Sequence, residues 1–370
     1  MRVAIVAPWG ERSGGAEQVL WTLLREFDPD RIAASVIFLS PGAFVDEVAE
    51  LGIETTVMPA PRLRNAGAAA MSIRRLAYAF RRSRAEAVLN WSAKTQIYGG
   101  PAATLAGLRG RVAWWQHAIP QGHWVDRAAT LLPARFVICC STAAAKAQEQ
   151  LKPHRRVEIV HAGVEAGEAR EPPRAARRTL GVPEARVVVG IVGRLQPWKG
   201  QHHVIRAVAV LARRGLDVHC LVVGGSPFEL SPEYEPTLRA LARDEHIEDR
   251  VTFTGQIPDA MRYVSAMDVL VNASEPEPYG LTLLEAMAAG IPTVSIAAGG
   301  PLDIVVEGVT GVLIPPRAQD TLADALEPLV RDQSLRASLG EAGRRRALEQ
   351  FKTRPVAERV GRLLAEIAAS

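Results

Sequence analysis

The sequence is short of cysteine, of aromatic residues and of long apolar runs, and each shortage excludes a class of protein. Its three cysteines, Cys139, Cys140 and Cys220, include an adjacent pair, and none has a histidine at ligand spacing. That excludes a disulfide framework and a zinc site, and the three read as small core residues. No window reaches the ~18 consecutive apolar residues of a membrane-spanning helix. The opening M-R-V-A-I-V-A-P reads as a buried strand rather than a secretory leader, so the expected location is cytoplasmic. Aromatic residues make up 5% of the chain and do not interleave with basic ones, which argues against a nucleic-acid partner. The one D-x-D spacing, Asp28-Pro29-Asp30, carries a proline between the acids and does not follow a strand-like apolar run, and a G-x-G-x-x-G turn after a strand is missing, so neither a metal nor a dinucleotide cofactor is expected.

What is present is ample material for two cores. The 370 residues are 48% hydrophobic with a mean hydropathy of +0.04, as in a globular protein of two domains. Short runs rich in Val, Ile and Ala recur at 2–8, 34–39, 54–58, 87–90, 112–115, 136–140 and 157–160, with helical patterns between most of them. Strands alternating with helices predict a doubly wound α/β domain with a parallel sheet. A charged, proline-containing segment over 166–178 reads as a linker. The alternation then restarts, with strands at 187–192, 219–223, 251–253, 269–271 and 293–296. The expected domains are therefore 1–170 and 171–352, both Rossmann-like. A last helix within 353–370 can belong to either.

The net charge of +4 conceals an asymmetry: residues 1–178 carry +8 and the remainder −4. Arg62, Arg64, Arg74, Arg75, Arg81, Arg82 and Arg84 account for much of the excess. A solvated helix face explains them; the functional alternative is attraction to an anionic acceptor or to an acidic membrane surface, which would make the protein peripheral to a membrane.

Four stretches carry candidate chemistry. The first, S-E-P-E-P-Y-G-L-T-L-L-E-A-M-A-A-G from Ser274 to Gly290, sets Glu277 in a turn and Glu285 inside a helix predicted over 281–289. The backbone amides of Gly280, Leu281 and Thr282 at the start of that helix suit a diphosphate, through hydrogen bonds and the helix dipole together. The second, G-I-V-G-R-L-Q-P-W-K-G from Gly190 to Gly200, puts Arg194 and Lys199 on a strand-to-helix loop, where two cations can take the charge that grows on a departing diphosphate. The third is Ser13-Gly14-Gly15-Ala16-Glu17, whose glycines allow close backbone approach or simply form a tight turn. The fourth is Trp114-Trp115-Gln116-His117 at a strand end, where the histidine is either structural or functional. Trp114, Trp115 and Trp124 could line a sugar-stacking surface, although core packing is the commoner fate of tryptophan.

Together these stretches resemble the signatures of the retaining glycosyltransferases of family 4: S-x-x-E-P-[FY]-G-x4-E for the first, G-R-x4-K-G for the second and G-G-x-E for the third. The resemblance implies a GT-B fold, two Rossmann-like domains facing each other across a cleft. It also implies metal-independent transfer of a hexose or hexosamine, most often from a UDP-sugar, to a hydroxyl of a glycan, lipid-linked or small-molecule acceptor. It places Glu277 and His117 by the donor sugar and Glu285 on the ribose. Arg194 and Lys199 fall on the diphosphate, Gly15 near phosphate and acceptor, and Gly255 and Gln256 by the base. The loop after the first strand offers Trp9, Gly10 and Glu11 but no histidine to act as general base, which suits retention better than inversion. A sugar-nucleotide-binding sensor or scaffold of the same fold is the alternative.

Overall fold

The computed structural model describes residues 1–12, 14–61, 65–165, 171–226, 231–257 and 259–370. The chain forms two compact units, Met1–Gly163 with Thr353–Ser370, and Val164–Lys352. Ser13, Arg62, Arg64 and the first part of the predicted linker, 166–170, lie outside the described residues.

The first unit holds seven parallel strands: β1 (Arg2–Ala7), β2 (Ala33–Phe38), β3 (Glu54–Val57), β4 (Ala87–Asn90), β5 (Val112–Gln116), β6 (Phe136–Cys139) and β7 (Arg156–Ile159), in the order β3-β2-β1-β4-β5-β6-β7. Side chains alternate across β1. Val3 and Ile5 pack with Leu20, Leu24 and the terminal-helix residues Val360, Leu364 and Ile367. Ala4 and Val6 face the other way, toward Leu76, Phe80 and Tyr98. A sheet covered on both faces needs strands without a polar side, which is why these runs read as continuously apolar. The terminal helix, Thr353–Ala368, belongs to this unit and supplies one of those covers.

The second unit repeats the plan with six parallel strands: β8 (Val187–Val192), β9 (Val218–Val223), β10 (Val251–Phe253), β11 (Val269–Asn272), β12 (Thr293–Ile296) and β13 (Val312–Ile314), ordered β10-β9-β8-β11-β12-β13. In both units the chain works outward to one edge, returns to the centre and builds the other half. The central neighbours, β1 with β4 and β8 with β11, therefore flank a topological switch point, where open α/β sheets bind ligands at the carboxyl ends of their strands.

Two sequence readings need correcting. Residues expected to be linker form a helix, Pro173–Leu180, with proline at its first position and a left-handed Gly181 closing it. Its sparse apolar pattern hides one buried anchor, Ala176, and Arg177, which reaches Asp268 at 2.6 Å and the carbonyls of Ala266 and Glu184. Trp114 and Trp115 are fully buried in the sheet and offer no sugar-stacking surface, whereas Trp124 is exposed. All three cysteines are buried, and burial pushes the Cys220 thiol up to about 12.

Candidate active site

At the switch point of the second unit, two loops meet. The loop after β8 carries Arg194 and Lys199; the loop after β11 carries Glu277 and leads into the helix Leu281–Ala288. The Lys199 Nζ donates to Glu277 Oε2 at 2.9 Å and lies 4.1 Å from the centre of the Trp198 ring. Asn272 Nδ2, at the end of β11, is 3.3 Å from the same carboxylate oxygen. The Asn272 Oδ1 in turn accepts from the Ser274 amide at 3.1 Å, which fixes the start of the loop. Burial alone would raise the Glu277 carboxyl. The Lys199 charge, with hydrogen bonds from Lys199, Asn272 and Ser274, outweighs that and holds it below the ordinary carboxylate value, so it is an anion at neutral pH.

Glycines let the loops come this close. Gly200 sits at φ +76°, and a Cβ there would lie 2.4 Å from the Ala273 carbonyl oxygen. The Gly300 amide donates to the Glu277 carbonyl at 2.9 Å, and a Cβ on Gly300 would fall 2.2 Å from the carbonyl oxygen of Tyr279. Gly299-Gly300 thus backs the turn that presents Glu277. A further tie joins the Glu275 amide to the Trp198 carbonyl at 3.2 Å.

The helix Leu281–Ala288 starts from Gly280 in the left-handed region, φ +101°. The amides of Gly280, Leu281 and Thr282 have no acceptor among the described residues, as expected for a first turn without a side-chain cap. Glu285 lies one turn further in, partly buried. The Arg194 guanidinium has no hydrogen-bond or ion-pair partner among the described residues, while its carbonyl accepts from Gln201 at 2.9 Å. Gly255 and Gln256 follow β10 at the same end of the sheet. The Gly224 amide donates to the Gly255 carbonyl at 3.1 Å, and the Leu195 amide to the Gly225 carbonyl at 2.8 Å, which strings the three loops together. One unit therefore brings together a free cation, a buried ion pair and an uncapped helix start, an arrangement able to hold an anion beside polyhydroxyl groups.

Gly15 and His117 belong to the first unit. Gly15 is the exposed first residue of the helix Gly15–Glu26. His117 follows β5, stacked on Trp115 at 5.4 Å between centroids and tilted against Trp91 at 4.8 Å. Burial lowers it to about 3, so the ring is neutral at physiological pH, and its Nε2 is buried with no partner among the described residues. Asn272 and Trp198 were not singled out from sequence. The available signal was an asparagine closing an apolar strand, which recurs in the first unit at Asn90, the end of β4.

Residues 174–346 match the family Glycosyl transferases group 1, and residues 13–168 match Glycosyltransferase Family 4. The chain belongs to these glycosyltransferases. Its fold is GT-B: it is similar over 99% of both chains, at 26% identity and a TM-score of 0.87, to the Anabaena protein Alr3699/HepE, whose crystal structure is in complex with UDP and glucose. A curated relative, D-inositol 3-phosphate glycosyltransferase of Corynebacterium aurimucosum, is 40% identical over 45% of this chain and 40% of its own length. Another, the GDP-mannose-dependent alpha-(1-6)-phosphatidylinositol monomannoside mannosyltransferase of Mycolicibacterium smegmatis, is 35% identical over 50% or less of each, 48% of this chain and 48% of its own. The matched region thus spans less than half of these curated relatives. Among the described residues no helix is long and apolar enough to cross a membrane.

Proposed function

We propose that this chain is a retaining glycosyltransferase that moves a hexose or hexosamine from a nucleotide sugar, a UDP-sugar in the first instance, to an acceptor hydroxyl without a metal ion. The observation that carries the reading is the Lys199–Glu277 pair at the switch point beside the free Arg194 and the uncapped start of Leu281–Ala288. The donor diphosphate lies against that helix start, with Arg194 gripping it and Lys199 as a point charge. Glu277 accepts from hydroxyls of the donor sugar and Glu285 from those of the ribose. As the glycosidic bond breaks, negative charge grows on the departing phosphate, where the two cations and the amides stabilise it. The departing phosphate oxygen then takes the acceptor proton on the same face, so no protein base is required. His117, neutral, serves a sugar hydroxyl through Nε2 rather than transferring a proton.

UDP and glucose in the HepE structure favour a UDP-sugar, and the GDP-mannose of the mycolicibacterial relative supplies the competing donor. The test is proton NMR of reactions containing each candidate α-linked donor, a panel of acceptors and EDTA. An α-configured product formed at the same rate with and without EDTA is the expected result. A β-configured product, or one formed only with a divalent metal, would overturn the mechanism. If a nucleotide binds and no acceptor is ever glycosylated, the sensor reading takes its place.

A further inference from the structure

The Lys199 ammonium has a second anchor besides Glu277. The Trp198 ring, whose centre lies 4.1 Å from Lys199 Nζ, is itself fixed. Its Nε1 donates to Gln196 Oε1 at 2.9 Å, Pro197 restricts the backbone between the two residues, and the Trp198 carbonyl accepts from the Glu275 amide at 3.2 Å. The turn Pro197–Lys199 ends at the left-handed Gly200, packed against Ala273. On its other side the lysine stem runs past Gly193, where a Cβ would lie 3.8 Å from Lys199 Cδ and 4.0 Å from Cε. The lysine side chain is left 19% exposed by these contacts, whereas the tryptophan, at 39%, is not a core residue.

Glu277 alone would hold this cation poorly once a ligand arrives. Hydroxyls of a bound sugar compete for the same carboxylate, and a flexible lysine attached at one point is free to follow it. Of the three N–H donors of the ammonium, one goes to Glu277, and no further acceptor meets Lys199 among the described residues. The face of an indole attracts the charge without a lone pair, so that contact can persist while the N–H groups turn from carboxylate to phosphate oxygens. We propose that Trp198 is a positioning residue, holding the Lys199 ammonium in place independently of Glu277, so that the cation stays at the phosphate when the donor sugar occupies the carboxylate. That the anion is a donor diphosphate rests on the function proposed above; the anchoring of Lys199 by the ring does not.

Two measurements on the full chain test this. Lysine-selective ¹³C labelling gives Cε–Hε signals for the five lysines, Lys94, Lys146, Lys152, Lys199 and Lys352, which single Lys→Arg substitutions assign. The Lys199 signal should be displaced upfield by the ring current, keep that displacement in Glu277→Gln and lose it in Trp198→Ala. Binding of UDP and, separately, of GDP is then followed in the ³¹P spectrum of the ligand, so that weak binding stays measurable. Trp198→Ala should weaken the preferred nucleotide about five- to thirtyfold, the worth of a partly desolvated cation–aromatic contact. Trp198→Phe, which keeps a ring face, should recover part of that loss, and in a Lys199→Ala background Trp198→Ala should have no further effect. A Lys199 signal that loses its displacement in Glu277→Gln would overturn the inference. So would a Trp198→Ala loss that persists undiminished without Lys199, since the ring would then touch the nucleotide itself. If neither nucleotide binds the native protein while the displacement survives Glu277→Gln, the nucleotide-site reading falls and the anchoring stands. If a nucleotide binds through Lys199 and Trp198→Ala binds it equally well, the nucleotide site stands and this inference falls.

Discussion

Glu277 is a carboxylate that the fold has buried and then kept ionised, and the means is a lysine 78 positions earlier in the chain. A buried pair is costly to break from one side, because the survivor is left charged and unsolvated, at about 3–5 kcal/mol. Lys199→Ala should therefore lose on two counts: about a hundredfold to a thousandfold in transfer rate, from a missing stabiliser of the departing phosphate, and several degrees in melting temperature. Adding Glu277→Gln to that variant separates them. Stability should return, since a neutral amide needs no counter-charge, while activity stays low; calorimetry and a transfer assay on the single and double variants check both. The motif spacing singled out both residues, but nothing in the sequence showed that they touch. Nor did it mark Asn272, because a polar residue at the end of an apolar run reads equally well as a strand terminator.

The elements that carry these side chains were legible to different degrees. The strands were plain, because a sheet covered on both faces leaves no polar alternation to confuse with a helix; β8, β10 and β12 lie where the apolar runs predicted. The helix Ala93–Leu105 is harder to read, since it contains Gly99, Gly100 and Pro101 and is buried nearly all round, with no polar stripe. Its Gly99 is required by the strand beneath, for a Cβ there would lie 1.9 Å from Asn90 Oδ1. The helix Pro173–Leu180 reads as linker in the sequence because its stability comes from Arg177 reaching three carbonyls and a carboxylate, contacts invisible to periodicity. At the active-site turn the same kind of close packing makes a prediction. Gly300→Ala would drive a methyl into the Tyr279 carbonyl and push the Glu277 loop outward. The variant should fold with a lower melting temperature and lose nucleotide affinity about tenfold or more, although residue 300 carries no side chain that could touch the ligand. Unchanged binding by calorimetry would show that the turn is not held in this way.

At the scale of the whole molecule, two units repeat one strand order, and the helix Thr353–Ala368 returns the chain to the first unit's core. Both units also bury a histidine that is neutral in the fold. His117 is held at about 3 and His219, inside β9, at about 4, each because burial disfavours the charged ring, against an ordinary value of 6.5. Below pH 6.5 the unfolded chain binds protons that the folded chain refuses, so stability should fall as pH drops from 6.5 toward 4, by up to about 1.4 kcal/mol per pH unit for each histidine, and should not depend on them above 6.5. Urea unfolding across that range measures it, and a slope that persists between pH 7 and 8 would have to come from other groups. A nucleotide-sugar site built on Lys199, Glu277 and the start of Leu281–Ala288 is tested most directly by thermal unfolding of the native protein and of Lys199→Ala with UDP, GDP, ADP and their sugars. One nucleotide at about a hundredfold its dissociation constant should stabilise the native protein by about 2.7 kcal/mol, with most of that lost in the variant. No shift with any nucleotide, or an equal shift in both proteins, would contradict it.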